Sequence, residues 1–301
     1  MSVNRTREST NSEALIGTRT KYPVIFSLMR FCTGSPLGAF GAAVILFTII
    51  VAVVAPLLTP YGPKDIEVAE KFSPPLGEQL LGTDELGRDV LTRLIYGARI
   101  SMSVGILSVG IGISAGTLIG IFSAYTGGKI DLAIQRVVDA LMAFPAIIMA
   151  LALMAALGAS QTNVVVALVI ILLPGAVRVV RSQVLSIKEQ DYTLAARAIG
   201  AGSTRVMLRH ILPNVMATYI VLSTITLGYA IVVEASLSFL GVGIQPPTAS
   251  WGAMLQSGYR YLERNLIESM VPGLAIFMTV LSVNLLGDGL REALDPRLRG
   301  T

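Results

Sequence analysis

Histidine and cysteine are nearly missing from this chain, and charge is scarce. Its 301 residues include one histidine, His210, and one cysteine, Cys32, and only 14% are Asp, Glu, Lys or Arg. A single cysteine excludes an internal disulfide framework. A single histidine excludes an HExxH zinc site and leaves an intramembrane hydrolase without a plausible base. Soluble domains carry roughly 25% charged residues. The deficit here, with 53% hydrophobic residues and a mean hydropathy of +0.70, points to the membrane. A P-loop is missing too: around "TGGKI", Ser123 stands where that motif needs its first Gly and Ile130 where it needs Ser or Thr. Any ATP that drives this protein is expected to be hydrolysed by another chain. The first 35 residues are polar and basic, without an early apolar core and cleavage site, so they read as a cytoplasmic tail rather than a signal peptide. No period of 20–50 residues suggests a solenoid, and no inverted repeat is evident.

What is present is long apolar sequence. A helix needs about 20 mainly apolar residues to cross the hydrocarbon core. Six stretches qualify, at about 37–58, 102–124, 137–157, 164–181, 216–239 and 267–287. Lys and Arg set the direction. Sixteen lie in the N-terminal tail, the loop after the second stretch, the segment after the fourth and the C-terminus; seven lie on the opposite side, where the first long loop also holds seven acids. The positive-inside rule puts both termini in the cytoplasm. The fold class is therefore all-α integral membrane, with six transmembrane helices. The first is set apart by an external stretch rich in turn formers (Pro60, Gly62, Pro63, Pro74, Pro75, Gly77), and the other five follow with short connections as one packed unit.

Ser108, Gly112, Gly116 and Gly120 recur every four residues, which puts them on one helix face and marks a packing groove. Polar groups inside apolar runs should face the bundle interior or a wet cavity. Asp139, three residues from Arg136 and near the cytoplasmic border, reads as an i,i+3 pair at a helix end. Glu234 lies deeper and stays open between lining a pathway and holding helices together. Asn284 is a third such polar position. Pro145, Pro174 and Pro272 fall in or near spans and are potential kinks.

The segment "DYTLAARAIGAGSTRVMLRHILPN", Asp191 to Asn214, is basic between two apolar runs. It reads as two short helices hinged at Gly200–Gly202. Asp191 caps the first, Gly200 or Gly202 supplies a left-handed turn, Ser203 caps the second, and Pro213 ends the run. Leu194, Ala195, Ala196, Ile199, Val206 and Leu208 give it an apolar side suited to a groove on another protein.

This segment resembles the EAA loop of ATP-binding-cassette importer permeases, "EAA–x3–G–x9–I–x–LP". Leu194-Ala195-Ala196, Gly200 and His210-Ile211-Leu212-Pro213 stand at its positions, with Leu194 in place of Glu and His210 in place of Ile. "LGTDELGRDVLTRLIYGARIS", "EASLSFLGVGIQPPTASWGAML" and "NLLGDGLREALDPRLRG" resemble the second permease subunit of dipeptide, oligopeptide and nickel importers. The resemblance runs from about residue 35 to the end.

The resemblance implies a type I importer permease: cytoplasmic tail 1–36, first helix 37–58, external segment 59–96, type I transmembrane domain 97–286 with its coupling loop at 182–215, and tail 287–301. It implies a bacterial cytoplasmic membrane protein that pairs with a homologous permease subunit as a heterodimer. Two ATP-binding subunits and an external solute-binding protein complete the importer, and no nucleic acid is involved. It implies no cofactor on this chain, ATP and Mg being held by the partner subunits. Asp191, Leu194, Ala195, Ala196, Arg197, Gly200, Arg205, His210, Leu212 and Pro213 would contact the ATPase. The expected solute is a di- or oligopeptide, the alternatives being nickel complexes, glutathione or another small solute. An ion-coupled carrier using Asp139 or Glu234 is the rival reading.

Overall fold

A computed structural model describes residues 34–294, apart from positions 76 and 78. Most of the N-terminal tail, including Cys32 and the basic residues from Arg5 to Arg30, lies outside the described residues. So do Arg297 and Arg299 near the C-terminus.

Helices account for nearly all of the described secondary structure; the one extended pairing among the described residues is an isolated bridge between Thr83 and Asp89. Helix α1 covers Pro36–Val53, followed by one short turn, α2 (Ala55–Leu58). The chain then runs through the external segment to α3 (Val90–Thr126). Asp89 starts this helix by accepting the Thr92 N–H at 2.7 Å. At 37 residues α3 is about 55 Å long, well beyond the roughly 30 Å core, so it projects past the bilayer. Residues 90–101, which precede the second apolar stretch, are therefore already helical.

The third apolar stretch is broken. It consists of α4 (Gly128–Met142) and α5 (Ala146–Leu157), which meet at 88°. Pro145 causes the break: it disfavours the helical conformation at Phe144 and itself takes φ −56°, ψ 129° at the start of α5. Pro174 and Pro272, by contrast, sit inside continuous helices, α6 (Gln161–Lys188) and the last helix. Among the described residues there are therefore five uninterrupted helices long and apolar enough to span, and a sixth span if the bent pair is counted as one.

After α6 comes α7 (Asp191–Ala198), then α8 (Ser203–Val206), a π-helical turn (Met207–Ile211) and α9 (Leu212–Phe239). A short helix, α10 (Trp251–Arg260), precedes the final α11 (Leu266–Leu294). The core is α3 against α6, with α9 and α11 beside them and α1 lying along α11. The small-residue stripe makes the first contact possible. A side-chain carbon on Gly116 would stand 2.6 Å from the Ala176 Cβ, and one on Gly120 would stand 2.9 Å from the Val177 carbonyl. Gly112 faces Leu172 and Val169 on the same helix. Ser108, a turn away, is fully buried.

Candidate functional site

The end of the bundle that the Lys and Arg distribution assigns to the cytoplasm carries the segment that the sequence singled out. Helix α7 ends in a Schellman arrangement: the Gly200 N–H reaches the Arg197 carbonyl at 2.9 Å, and the Ala201 N–H reaches Ala196 at 3.0 Å. This closure needs a left-handed residue, and Gly200 takes φ +85°. Three local expectations are corrected. Asp191 is the first residue inside α7 rather than its cap, Gln190 occupying the cap position; its charge still lies in the first turn, where the helix dipole favours an acid. Ser203 likewise sits inside α8, behind Gly202, and makes no capping bond.

Pro213 does not end the run. Helix continues from Ser203 to Phe239, because the π-turn absorbs the proline. A proline in an α-helix removes one N–H and crowds the carbonyl four residues back. Here the wider turn has the Leu212 N–H bond to Met207, and the Asn214 side chain satisfies the His210 carbonyl at 2.6 Å.

Packing divides the segment into two sides. Ala196, Val206 and Ile211 are buried, the last two against Ile121, Val180, Val184 and Ile187 of α3 and α6. The Arg197 guanidinium lies 5.0 Å from the centre of the Tyr125 ring, which anchors α7 to the end of α3. Leu194, Ala195, Ile199 and Leu208 point the other way, so the expected apolar side is split. Ile199 is 87% exposed and Leu208 58%. Around them Asp191, Arg205 and Pro213 are exposed, while His210 and Leu212 are half-buried and the His210 ring lies 6.4 Å from that of Tyr192.

Asp139 is corrected as well. Its partner is not Arg136 but Arg178 on α6, whose Nη2 donates to Oδ1 at 2.6 Å. A second pair beside it, Asp131–Arg181, is bidentate at 2.7 and 2.6 Å, and Ser123 adds a hydrogen bond to Asp131. Together the pairs line a cavity of about 670 Å³ between α4 and α6. The signal for it in sequence was one acid in the third stretch, a second just before it, and two arginines at the end of the fourth.

Glu234 lies elsewhere. It is fully buried in α9 and does not line that cavity. Ser238 donates to its Oε1 at 2.9 Å, and the Ser101 and Ser250 hydroxyls abut the same carboxyl. The Ser238 hydroxyl also accepts the Ile244 N–H, so this network ties α9 to the external loop after it. Asn284 is exposed on α11, its side chain passing over Gly228 of α9. The three polar positions expected within the spans therefore do not converge.

The opposite end, external by the same charge assignment, holds a charged cluster that sequence reasoning missed. Asp84 accepts the Leu86 and Arg88 N–H groups on one oxygen and the Arg88 side chain, at 2.6 Å, on the other. Arg93 approaches the same oxygen at 3.4 Å and donates to the Pro63 carbonyl. Glu85 takes the second arm of Arg88 and faces Glu268 at the start of α11. Burial by itself would raise the Glu85 carboxyl. Hydrogen bonding with Glu268, Ser257 and its own backbone, together with the Arg88 charge, outweighs that and holds it below the ordinary carboxylate value. The alternation of acids and arginines in "TDELGRDVLTR" was the available signal; the arrival of Glu268 from 180-odd residues away was not.

Comparison with known proteins supplies a context for this geometry. The family model for binding-protein-dependent transport system inner membrane components matches residues 116–300, and that for the N-terminal membrane domain of oligopeptide transport permease C matches 33–75. The chain is 41% identical over 279 residues to a putative peptide transport system permease protein of Brucella suis biovar 1 (strain 1330), covering 93% of this chain and 94% of that one. It is 42% identical over 269 residues to a di/tripeptide transport system permease protein of Pseudomonas aeruginosa (strain UCBPP-PA14), covering 87% and 89%. It is 41% identical over 260 residues to a glutathione transport system permease protein of Escherichia coli O6:K15:H31 (strain 536 / UPEC), covering 86% of each.

Proposed function

The chain belongs to the family of binding-protein-dependent transport system inner membrane components, and from that premise we propose that it is one of two permease subunits of an ATP-driven importer of di- or oligopeptides. It is a multi-pass, all-helical permease of the inner membrane. Its partners in this reading are a homologous permease, two ATPase subunits and an external binding protein, and both of its termini are cytoplasmic. Peptide is the favoured solute because the relatives are named for peptides, for di- and tripeptides and for glutathione, which is itself a tripeptide. Hydrolysis belongs to the ATPase partners, and this chain transmits displacement without making or breaking a bond.

The observation that carries the reading is the form of residues 191–212. A short helix is closed by Gly200 and seated on the bundle by Ala196, Val206 and Ile211, yet it offers Leu194, Ile199 and Leu208 outward beside exposed arginines. Isolated apolar side chains on a surface are ordinary. Three of them on one short basic segment, joined rigidly to a spanning helix, suit a lever seated in a partner's groove. When the ATPase pair closes on ATP, a displacement of α7 passes through the Gly200 turn, α8 and the π-turn into α9.

The test is uptake of labelled trialanine into proteoliposomes that hold the complete importer. The reading requires uptake to depend on ATP and on the binding protein. Uptake that stops when a proton gradient is collapsed at constant ATP would identify an ion-coupled carrier instead.

A further inference from the structure

The cavity between α4 and α6 contains two ion pairs built differently. Asp131–Arg181 is bidentate, and its carboxylate and guanidinium are 14% and 31% exposed. Gln135 donates to the Ser123 hydroxyl, which itself donates to Asp131, so this pair is held from behind. Asp139–Arg178 has a single short contact, and its side chains are 48% and 53% exposed. The remaining donors of Arg178 and the other Asp139 oxygen are open to the cavity.

Its position makes the second pair unusual. Arg178 is ten residues from the inner end of α6, about 15 Å along the helix axis, at the close of the fourth apolar stretch, and the side chains of Asp131, Gln135 and Arg181 line the same cavity. Half-exposed charges there cannot face hydrocarbon without a large cost, so this face has water or protein over it. The lining comes from α4 and α6 alone, and about 670 Å³ lies within the range of small-ligand pockets.

Building on the permease reading, we propose that Arg178 and Asp139 form a subsite in the inner part of the translocation route for the two charged ends of a zwitterionic peptide. Arg178 receives the carboxylate and Asp139 the ammonium. Those ends stand on the order of 5–6 Å apart in a dipeptide, one Cα–Cα step plus a bond at each side. The exposed pair opens to admit them and closes after release. Exposed pairs are weakly held, which makes such an exchange feasible, and the fixed Asp131–Arg181 pair keeps α4 in place while it happens.

The experiment uses the complete importer in its ATP-free state, with Cys32→Ser and Leu132→Cys introduced so that the cavity holds the thiol to be labelled. A membrane-impermeant thiol reagent supplied from the cytoplasmic side should label Leu132→Cys. Millimolar dialanine should slow this at least three-fold, and dialanine capped at both ends should not. Arg178→Gln or Asp139→Asn should abolish the protection. In proteoliposomes the same two variants should lower dialanine uptake at least ten-fold while leaving stimulated ATP hydrolysis within two-fold of the parent. Equal protection by the capped peptide, no protection at all, or undiminished uptake in both variants would each overturn the subsite. A parent complex that shows protection but no ATP-driven peptide uptake would instead fault the importer reading, so the two failures are distinguishable.

Discussion

The two ends of this bundle are finished in opposite ways. At the external end a network of polar groups is closed within the chain: Asp84 serves two arginines, Ser250 caps α10, the Trp251 ring N–H reaches the Leu94 carbonyl at 3.1 Å, and Asn265 reaches Thr83 at 3.3 Å. At the cytoplasmic end, Ile199 and Leu208 are left in the open and a cavity with half-exposed charges faces outward. The difference teaches that stability and interaction have been placed on separate ends. The outer end carries a buried charge network, although Leu80 and Tyr259 are exposed there. The inner end is held to the bundle by a few buried side chains and otherwise presents surface for something else.

The largest effect should come from breaking the outer end. Asp84→Ala leaves Arg88 and Arg93 buried, the first keeping only Glu85 and the second losing its one carboxylate. Removing one partner of a buried pair typically costs about 3–5 kcal/mol. The variant should reach the membrane poorly or melt far lower in detergent than the parent, and an unchanged melting temperature would show that the network is not a unit. Next is the stripe that joins the ends. Gly116→Val forces side-chain atoms against Ala176 and should cost about 1–3 kcal/mol by overpacking, read as a lowered melting temperature. The same change at Gly200 should cost about 1–2 kcal/mol, confined to the turn, since nothing stands within 4 Å of it. Its main result should be loss of binding-protein-stimulated ATP hydrolysis at normal membrane levels; a variant that couples normally would remove the need for the left-handed closure.

Glu234→Gln should be the mildest of these. We assign Glu234 the role of a tie between α9 and the external loop, and an amide can still accept the Ser238 hydroxyl. Uptake across pH 5 to 8 should match the parent. A shifted pH profile would return Glu234 to the pathway.

How much of this was legible in the sequence follows the same division. The spans could be read because hydrocarbon demands long apolar runs, and the stripe because its four-residue period survives any packing. The turn at Gly200 could be read from its residue type. What escaped were features decided by residues distant in sequence. Asp139 looked paired to Arg136 by spacing alone, whereas α6 brings Arg178 to it from 39 positions away. The run through Pro213 escaped because a π-turn leaves no periodic trace. Helix ends escaped where a charged or polar surface continues a helix beyond the bilayer, as at Val90–Ser101, since hydropathy marks the membrane and not the helix.

The claim that the inner end is a coupling surface is tested most directly by Ile199→Asp. This side chain is 87% exposed, so charging it should leave the bundle intact, with the melting temperature of the purified permease pair unchanged. The account predicts that the assembled importer then loses most of its binding-protein-stimulated ATP hydrolysis, or fails to retain the ATPase on purification. Full stimulation with normal ATPase retention would contradict it.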